Sequence, residues 1–479
     1  MSPQSTPSGP HPAETTVSGR LDRLPITSVH RRATMVVGLG FFFDLFEVFL
    51  AGVLAVVLVE RFHVTKDTLP VLLSSAYIGA FLGAILVSRL GDRYGRSTAF
   101  LFTLGVYSVF SFLGAFSASL SMLVATRFLA GIGIGAELPL GSAYLADLMP
   151  RRVRGRAIAI AFTLGFLGVP AVGLLGRSLL PHQLLGLDGW RWLMVIGSLG
   201  AVIIWFLRRS LPESPRWLES VGRHEEAEAI VAKLERTAVA EHGELTAPEP
   251  ASASASTETA RVPLRVLFTG QWRRRTAMLW IFQSVQTVGY YGFGSLVPLI
   301  LTAKGYSVTS SLTFTAITYF GYPIGSALSI PLMERVQRKW IVVGAAAAMI
   351  VLGLAFGNAG SSAAIVTLGF LYTLASNFFS NGFHAYEVEL YPTQVRTTAA
   401  GTAYSLSRLT TAFMPFVLVP LLHDRGPSAV FGVIVAAMVV VIADVAVLGP
   451  KTTGLSLESI NTRHDATVMV PRPSTEAQS

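Results

Sequence analysis

Apolar runs of about 20 residues recur down almost the whole of this 479-residue chain, each closed by a short polar stretch. A helix needs about 20 such residues to cross a bilayer. Twelve runs fall at 34–59, 69–89, 98–117, 121–146, 154–176, 191–208, 276–301, 312–333, 340–357, 362–386, 397–422 and 427–448. Lipid offers no partner to a free backbone N–H or C=O, so each run must be helical. Strands of a membrane barrel would be shorter and would alternate apolar with polar residues. Only 14% of the residues are charged, against about 25% in a soluble domain. The sequence therefore predicts an all-α membrane protein of twelve transmembrane helices and excludes a soluble enzyme.

Charge predicts the orientation. Of 37 Lys and Arg residues, six would lie in outer loops if the N-terminus is inside: Arg61, Lys66, Arg177, Arg191, Lys304 and Arg425. Arg127 and Arg408 fall within spans, and the remaining 29 lie on the inner side. This asymmetry places both termini in the cytoplasm of a plasma (inner) membrane protein. The net charge of +9 is spread over short loops and is not a nucleic-acid footprint. The chain has no cysteine, which excludes disulfides and thiolate chemistry.

The chain divides into five parts. Residues 1–32 lack an apolar core and read as a disordered cytoplasmic tail, not a signal peptide. Six spans follow in 33–208. A cytoplasmic linker, 209–272, holds a short amphipathic helix and the low-complexity stretch TAPEPASASASTETA. Six more spans occupy 273–450, and 451–479 is a polar cytoplasmic tail. The two halves repeat. GDRYGR after span two answers MERVQRK after span eight, and DLMPRRVR after span four answers ELYPTQVR after span ten. Asp92 and Glu334, Arg96 and Arg338, Asp147 and Glu389, and Arg154 and Arg396 are all 242 residues apart. Two motifs at one offset mark a parallel repeat of six-helix bundles related by pseudo-symmetry.

These motifs resemble those of the major facilitator superfamily. GDRYGR is similar to its loop signature between spans two and three. RFLAGIGIGAELPLGSAYLADLMPRRVRGR, PESPRWLESVGRHEEAEAIV, ELYPTQVRTTAAG and PKTTGLSLESI resemble the sugar-porter-related branch. Span seven, QSVQTVGYYGFGSLVPLIL, lacks that branch's Gly-x-Asn, and Lys451 stands where Glu is usual. YYG…LVPLIL followed by GYS is more similar to bacterial metabolite:proton symporters of the nicotinate and aromatic-acid type. The resemblance implies a secondary transporter, coupled to protons, that imports a small organic acid by alternating access. A sugar:proton symporter, an exporter of small metabolites and a membrane sensor without turnover are its rivals. The expected partners are a small-molecule substrate, protons and the bilayer, with the protein acting as a monomer. No metal-binding triad, nucleotide loop or catalytic constellation is present in the pattern, so no enzyme activity, metal or cofactor is expected.

Intramembrane charges are the candidate machinery. Asp44 and Glu47 share a helix face in span one. The resemblance puts Asp44 where proton-coupled porters keep a protonatable aspartate, and pairs it with Arg127 of span four. A structural ion pair and a snorkelling arginine are the plainer readings. Gly131, Gly133 and Gly135 suit close helix packing. Glu137 either lines the cavity or bonds a backbone group. Arg408 lies mid-span and would hold a substrate carboxylate or pair with Glu387. Gln286 is the repeat partner of Asp44, and Gln283 lies one turn away. With Tyr290, Tyr291 and Phe383 these amides suit an aromatic carboxylate, and they would suit other organic acids as well. Pro170 is a candidate kink in span five. Asp92, Arg93, Arg96, Asp147, Arg154, Glu334, Arg338, Glu389 and Arg396 cluster at helix ends and read as an inner gate held by ion pairs.

Overall fold

The computed structural model describes residues 17–246 and 267–450, except Ala136 and Pro392. The first half comprises α1 (Val17–Asp22), α2 (Ser28–Arg61), α3 (Leu69–Tyr94), α4 (Arg96–Ala115), α5 (Leu120–Ile134), α6 (Glu137–Leu148), α7 (Arg154–Phe166), α8 (Gly168–Leu179) and α9 (Gly189–Arg209). A two-stranded ribbon, β1 (Gln183–Leu184) and β2 (Leu187–Asp188), precedes α9. Two linker helices follow, α10 (Pro215–Ser220) and α11 (His224–His242). The second half comprises α12 (Gly270–Ala303), α13 (Val308–Tyr319), α14 (Gly321–Arg335), α15 (Arg338–Asn358), α16 (Ser362–Glu389), α17 (Thr393–Arg425) and α18 (Pro427–Leu448).

Ten of these stretches are long and apolar enough to cross a membrane, counting α5–α6 and α7–α8 as one each. With α12 and the α13–α14 pair they make twelve membrane helices. The interruptions have local causes. Pro170 has no N–H for the Phe166 carbonyl four residues back, and α7 gives way to α8 between them. Pro323 has the same relation to Tyr319, where α13 ends.

Two expectations need correction. Residues 17–32 are not a disordered tail. Val17, Leu21 and Leu24 are buried in one apolar cluster with Leu218, Val231 and Leu234 of the linker helices. Span one starts early, at Ser28, because the Thr27 N–H donates to His30 Nδ1 at 3.2 Å and caps the helix before the apolar run begins. The linker helix is also two helices, divided at Gly222, whose φ of +80° breaks the first. Gln283, at 2% exposure, and Glu387 near it show that the second half buries polar groups as the first does.

The halves meet chiefly along four helix pairs: α2 with α12, α3 with α17, α7 with α14 and α8 with α13. Two turns past the middle of α2, a Cβ on Gly52 would overlap the Ser295 carbonyl of α12, so only glycine allows this approach. Thr163 and Ser326 are 3.2 Å apart between α7 and α14, on the linker side. Arg177 donates to Thr313 Oγ1 at 2.9 Å between α8 and α13, on the opposite side. Both ends of the central space are thus bridged.

Candidate functional site

Asp44 and Glu47 are both buried on α2, at 1% and 0% exposure, and the structure gives them different partners. Arg127 of α5 donates from Nη1 to Glu47 Oε1, and from Nη2 to the Glu47 carbonyl at 3.2 Å. Ser111 of α4 donates to the same carboxylate oxygen at 2.8 Å. The expected pairing of Arg127 with Asp44 is therefore corrected to Glu47. The three-residue step carries Glu47 toward α4 and α5, while Asp44 faces α6 and the second half. Arg127 does not snorkel, since only 4% of its side chain is exposed.

Asp44 and Glu47 line a narrow cavity between the halves with Tyr77, Gly135, Tyr291 and Arg408. It holds ≈ 10 Å³, room for about one water molecule, so this is a closed conformation. Arg408 of α17 lies across the cavity in the electrostatic field of Asp44. It donates to the Tyr404 hydroxyl one turn back and to the Tyr291 hydroxyl at 3.5 Å. Its guanidinium carbon is 4.6 Å and 5.6 Å from those ring centroids, within cation–π range. The Arg408 Nε has no hydrogen-bond partner among the described residues. Tyr77 and Ser295 hydroxyls, 3.1 Å apart, tie the halves together beside it.

Five other expected site residues lie off the cavity wall. Glu137 is fully buried behind it, with its Oε1 close to where a Cβ on Gly40 would stand. Gln286 donates to Gln283 Oε1 at 3.2 Å, and Gln283 lies beside the Glu387 carboxyl. Arg408 lines the cavity, and Glu387 lies beside the Gln283 amide. Tyr290 donates to Asn377 Oδ1 at 3.3 Å. Phe383 stacks on Phe282 with centroids 3.5 Å apart, so it is core to the second half. The sequence reading missed Tyr77 and Tyr404. Tyr404 carries a signal, four residues before Arg408 on the same face. Tyr77 carries none, because its partner comes from the other half.

The glycines of α5 pack as expected. A Cβ on Gly131 or Gly135 would strike the Ala76 or Ala80 carbonyl of α3, and one on Gly133 would sit 2.6 Å from the Thr103 carbonyl of α4. On the linker side, Asp147 accepts from Ser214 Oγ at 2.9 Å and lies near Arg96, Arg154 and Arg216. Glu213 accepts from the Ser97 N–H at 2.9 Å and so caps α4. Arg93 is exposed against the Tyr94 ring. Arg338 opens α15. The side chains of Asp92, Glu334, Glu389 and Arg396 lie outside the described residues. The linker helices belong to this end. Arg20 of α1 donates to Glu235 of α11 at 2.7 Å, and Arg23 joins at 2.6 Å. The hydrogen bond from Arg20 holds the Glu235 carboxyl below its usual range.

The family described as "Sugar (and other) transporter" matches residues 33–463. The chain belongs to that family, within the major facilitator superfamily. It is 34% identical to the putative metabolite transport protein YyaJ of Bacillus subtilis, over 83% of this chain and 87% of that one. It is 31% identical to the niacin transporter NiaP of Acinetobacter baylyi, over 92% and 98%. Among solved structures, a partially occluded inward-open xylose transporter XylE from E. coli matches with a TM-score of 0.73. That match covers 90% of this chain and all of the other at 21% identity, and it establishes the fold alone. This family member is a multi-pass secondary transporter and not an enzyme. Its twelve helices have the arrangement expected from the sequence.

Proposed function

We propose that this transporter imports a small aromatic carboxylate together with protons, by alternating access around the Asp44–Arg408 cavity. The observation that carries this reading is Arg408. It is a buried cation on the wall of the central cavity, flanked by tyrosines, with hydrogen-bonding capacity left over. A guanidinium binds a carboxylate through charge-assisted, paired hydrogen bonds, and the tyrosine faces suit an aromatic ring. The similarity to a protein named as a niacin transporter supports the same substrate class.

The halves, 33–208 and 273–450, rock about this site, and the charged helix ends around Asp147 hold the linker side closed in one state. The Lys and Arg distribution supports an inner-membrane protein with both termini in the cytoplasm. The protein acts as a monomer, since each chain holds a complete cavity between its own halves.

The test is uptake into proteoliposomes under an acid-outside gradient. The panel holds nicotinate, benzoates, aliphatic acids, pentoses and hexoses, with Asp44→Asn alongside. Gradient-driven uptake of an aromatic acid, abolished by the substitution, supports the reading. Uptake of sugars alone, or uptake indifferent to both gradient and substitution, overturns it.

A further inference from the structure

Charge on the cavity wall fixes how much compensation a bound anion needs. Arg127 is neutralised by Glu47, which takes two of its donors and the Ser111 hydroxyl. That leaves one unlike pair facing the cavity, Asp44 and Arg408. Glu137 of α6 stands behind Asp44. It is at 0% exposure, neither of its oxygens has a hydrogen-bond partner among the described residues, and it lies in the electrostatic field of Asp44. Gly40, one turn before Asp44 on the same face of α2, leaves the space that the Glu137 carboxyl fills. The other titratable groups around the pair are the hydroxyls of Tyr77 of α3, Tyr107 of α4, Tyr290 and Tyr291 of α12 and Tyr404 of α17, and the imidazole of His384 of α16 on the Arg408 side. The five hydroxyls donate or accept without changing the charge count, and the His384 ring stacks on Phe162 with centroids 6.2 Å apart.

We propose that a substrate carboxylate replaces Asp44 as the counter-charge of Arg408, and that the released Asp44 takes up one proton, so that one anion and one proton cross together with no net charge. Glu137 is a positioning residue for this exchange. Asp44 and Glu137, two buried carboxyls side by side, hold at most one negative charge between them, and none once the anion has engaged Arg408. On the outer side one O–H bond forms on Asp44 as the anion binds. On the inner side that bond breaks, the anion leaves, and Asp44 again balances Arg408. This inference rests on the carboxylate reading above and adds the stoichiometry and the part played by Glu137.

The experiment uses the full chain in proteoliposomes with nicotinate as probe and the membrane potential clamped by potassium and valinomycin. At zero potential, a gradient of one pH unit is expected to accumulate the anion about tenfold. A potential of either sign without a pH gradient is expected to accumulate none. In Glu137→Gln the accumulation ratio falls below that value and uptake becomes sensitive to potential, while Glu137→Asp restores coupling. Thermal unfolding checks that each variant is folded. Potential-driven accumulation by the unaltered protein overturns the stoichiometry, and an unchanged ratio in Glu137→Gln overturns its role. Absence of carboxylate exchange even in counterflow sinks the functional reading itself, and is distinguishable because no potential or pH term then appears.

Discussion

Arg127 is paired with Glu47, and Asp44, three residues earlier on the same helix, faces Arg408 in the other half. The first pair lies within one half and serves its stability. The second lies across the cavity between the halves.

The two acids should therefore fail differently. Glu47→Gln leaves the buried Arg127 without its counter-charge, a change that typically costs about 3–5 kcal/mol. Asp44→Asn removes the counter-charge of Arg408, which lies on the cavity wall and keeps the Tyr404 and Tyr291 hydroxyls as partners, so it should cost less. Thermal unfolding in detergent should show a large loss for Glu47→Gln, partly recovered when Arg127→Gln is added, and a smaller loss for Asp44→Asn. Equal losses would show that Asp44 is part of the same structural pair.

Arg408→Gln should weaken binding of an aromatic carboxylate by about 1.5–3 kcal/mol, the usual worth of a hydrogen bond to a charged group. The matching neutral amide should lose far less, because it never used the positive charge. Titration of the purified protein with nicotinate and with nicotinamide separates the two. A uniform loss for both would mean that Arg408 holds the fold and not the ligand.

Much of this was legible in the chain. The apolar runs show up as helices because lipid leaves the backbone no alternative. The repeat offset of 242 relates Gln286 to Asp44, yet only Asp44 lines the cavity, and Gln286 turns to Gln283. What the sequence could not give was rotation. Asp44 and Glu47 are close enough in sequence for either to meet Arg127, and only packed α4, with Ser111, decides in favour of Glu47. Phe383 looked like a cavity residue because its partner Phe282 is a hundred residues away in the chain. The early start of α2 was hidden because a Thr-x-x-His cap carries a weaker signal than an apolar run.

Gly52 tests the closed state. A Val side chain there would meet the Ser295 backbone, which cannot swing aside as a side chain would. Gly52→Val should hold the halves apart, abolish uptake and leave each half folded. Since the chain has no cysteine, an Ala51→Cys substitution on the cavity wall reports directly. Its labelling by a water-soluble maleimide should be faster in the Gly52→Val background. Unchanged labelling with full uptake would show that the contact is not retained in the working cycle.

The docked N-terminal segment supplies a pH signature outside the membrane. Glu235 accepts from Arg20 and Arg23, and its carboxyl is held below the usual glutamate range chiefly by the Arg20 hydrogen bond. A carboxyl lowered in this way contributes stability that is fully present above its ordinary range and is lost as pH falls through the lowered one. The contact is partly solvated, so its worth is modest and screened by salt. The apolar side of the same contact, Val17 and Leu21 against Val231 and Leu234, does not titrate. Limited proteolysis of the segment around residues 17–27 should therefore be faster in Glu235→Gln than in the unaltered protein at neutral pH, and the two rates should converge in acid. Leu21→Asp should release the segment at every pH, because it removes the burial and not the charge. Equal rates for Glu235→Gln and the unaltered protein at neutral pH would mean that burial alone holds the segment, with Arg20 and Arg23 contributing nothing to its docking.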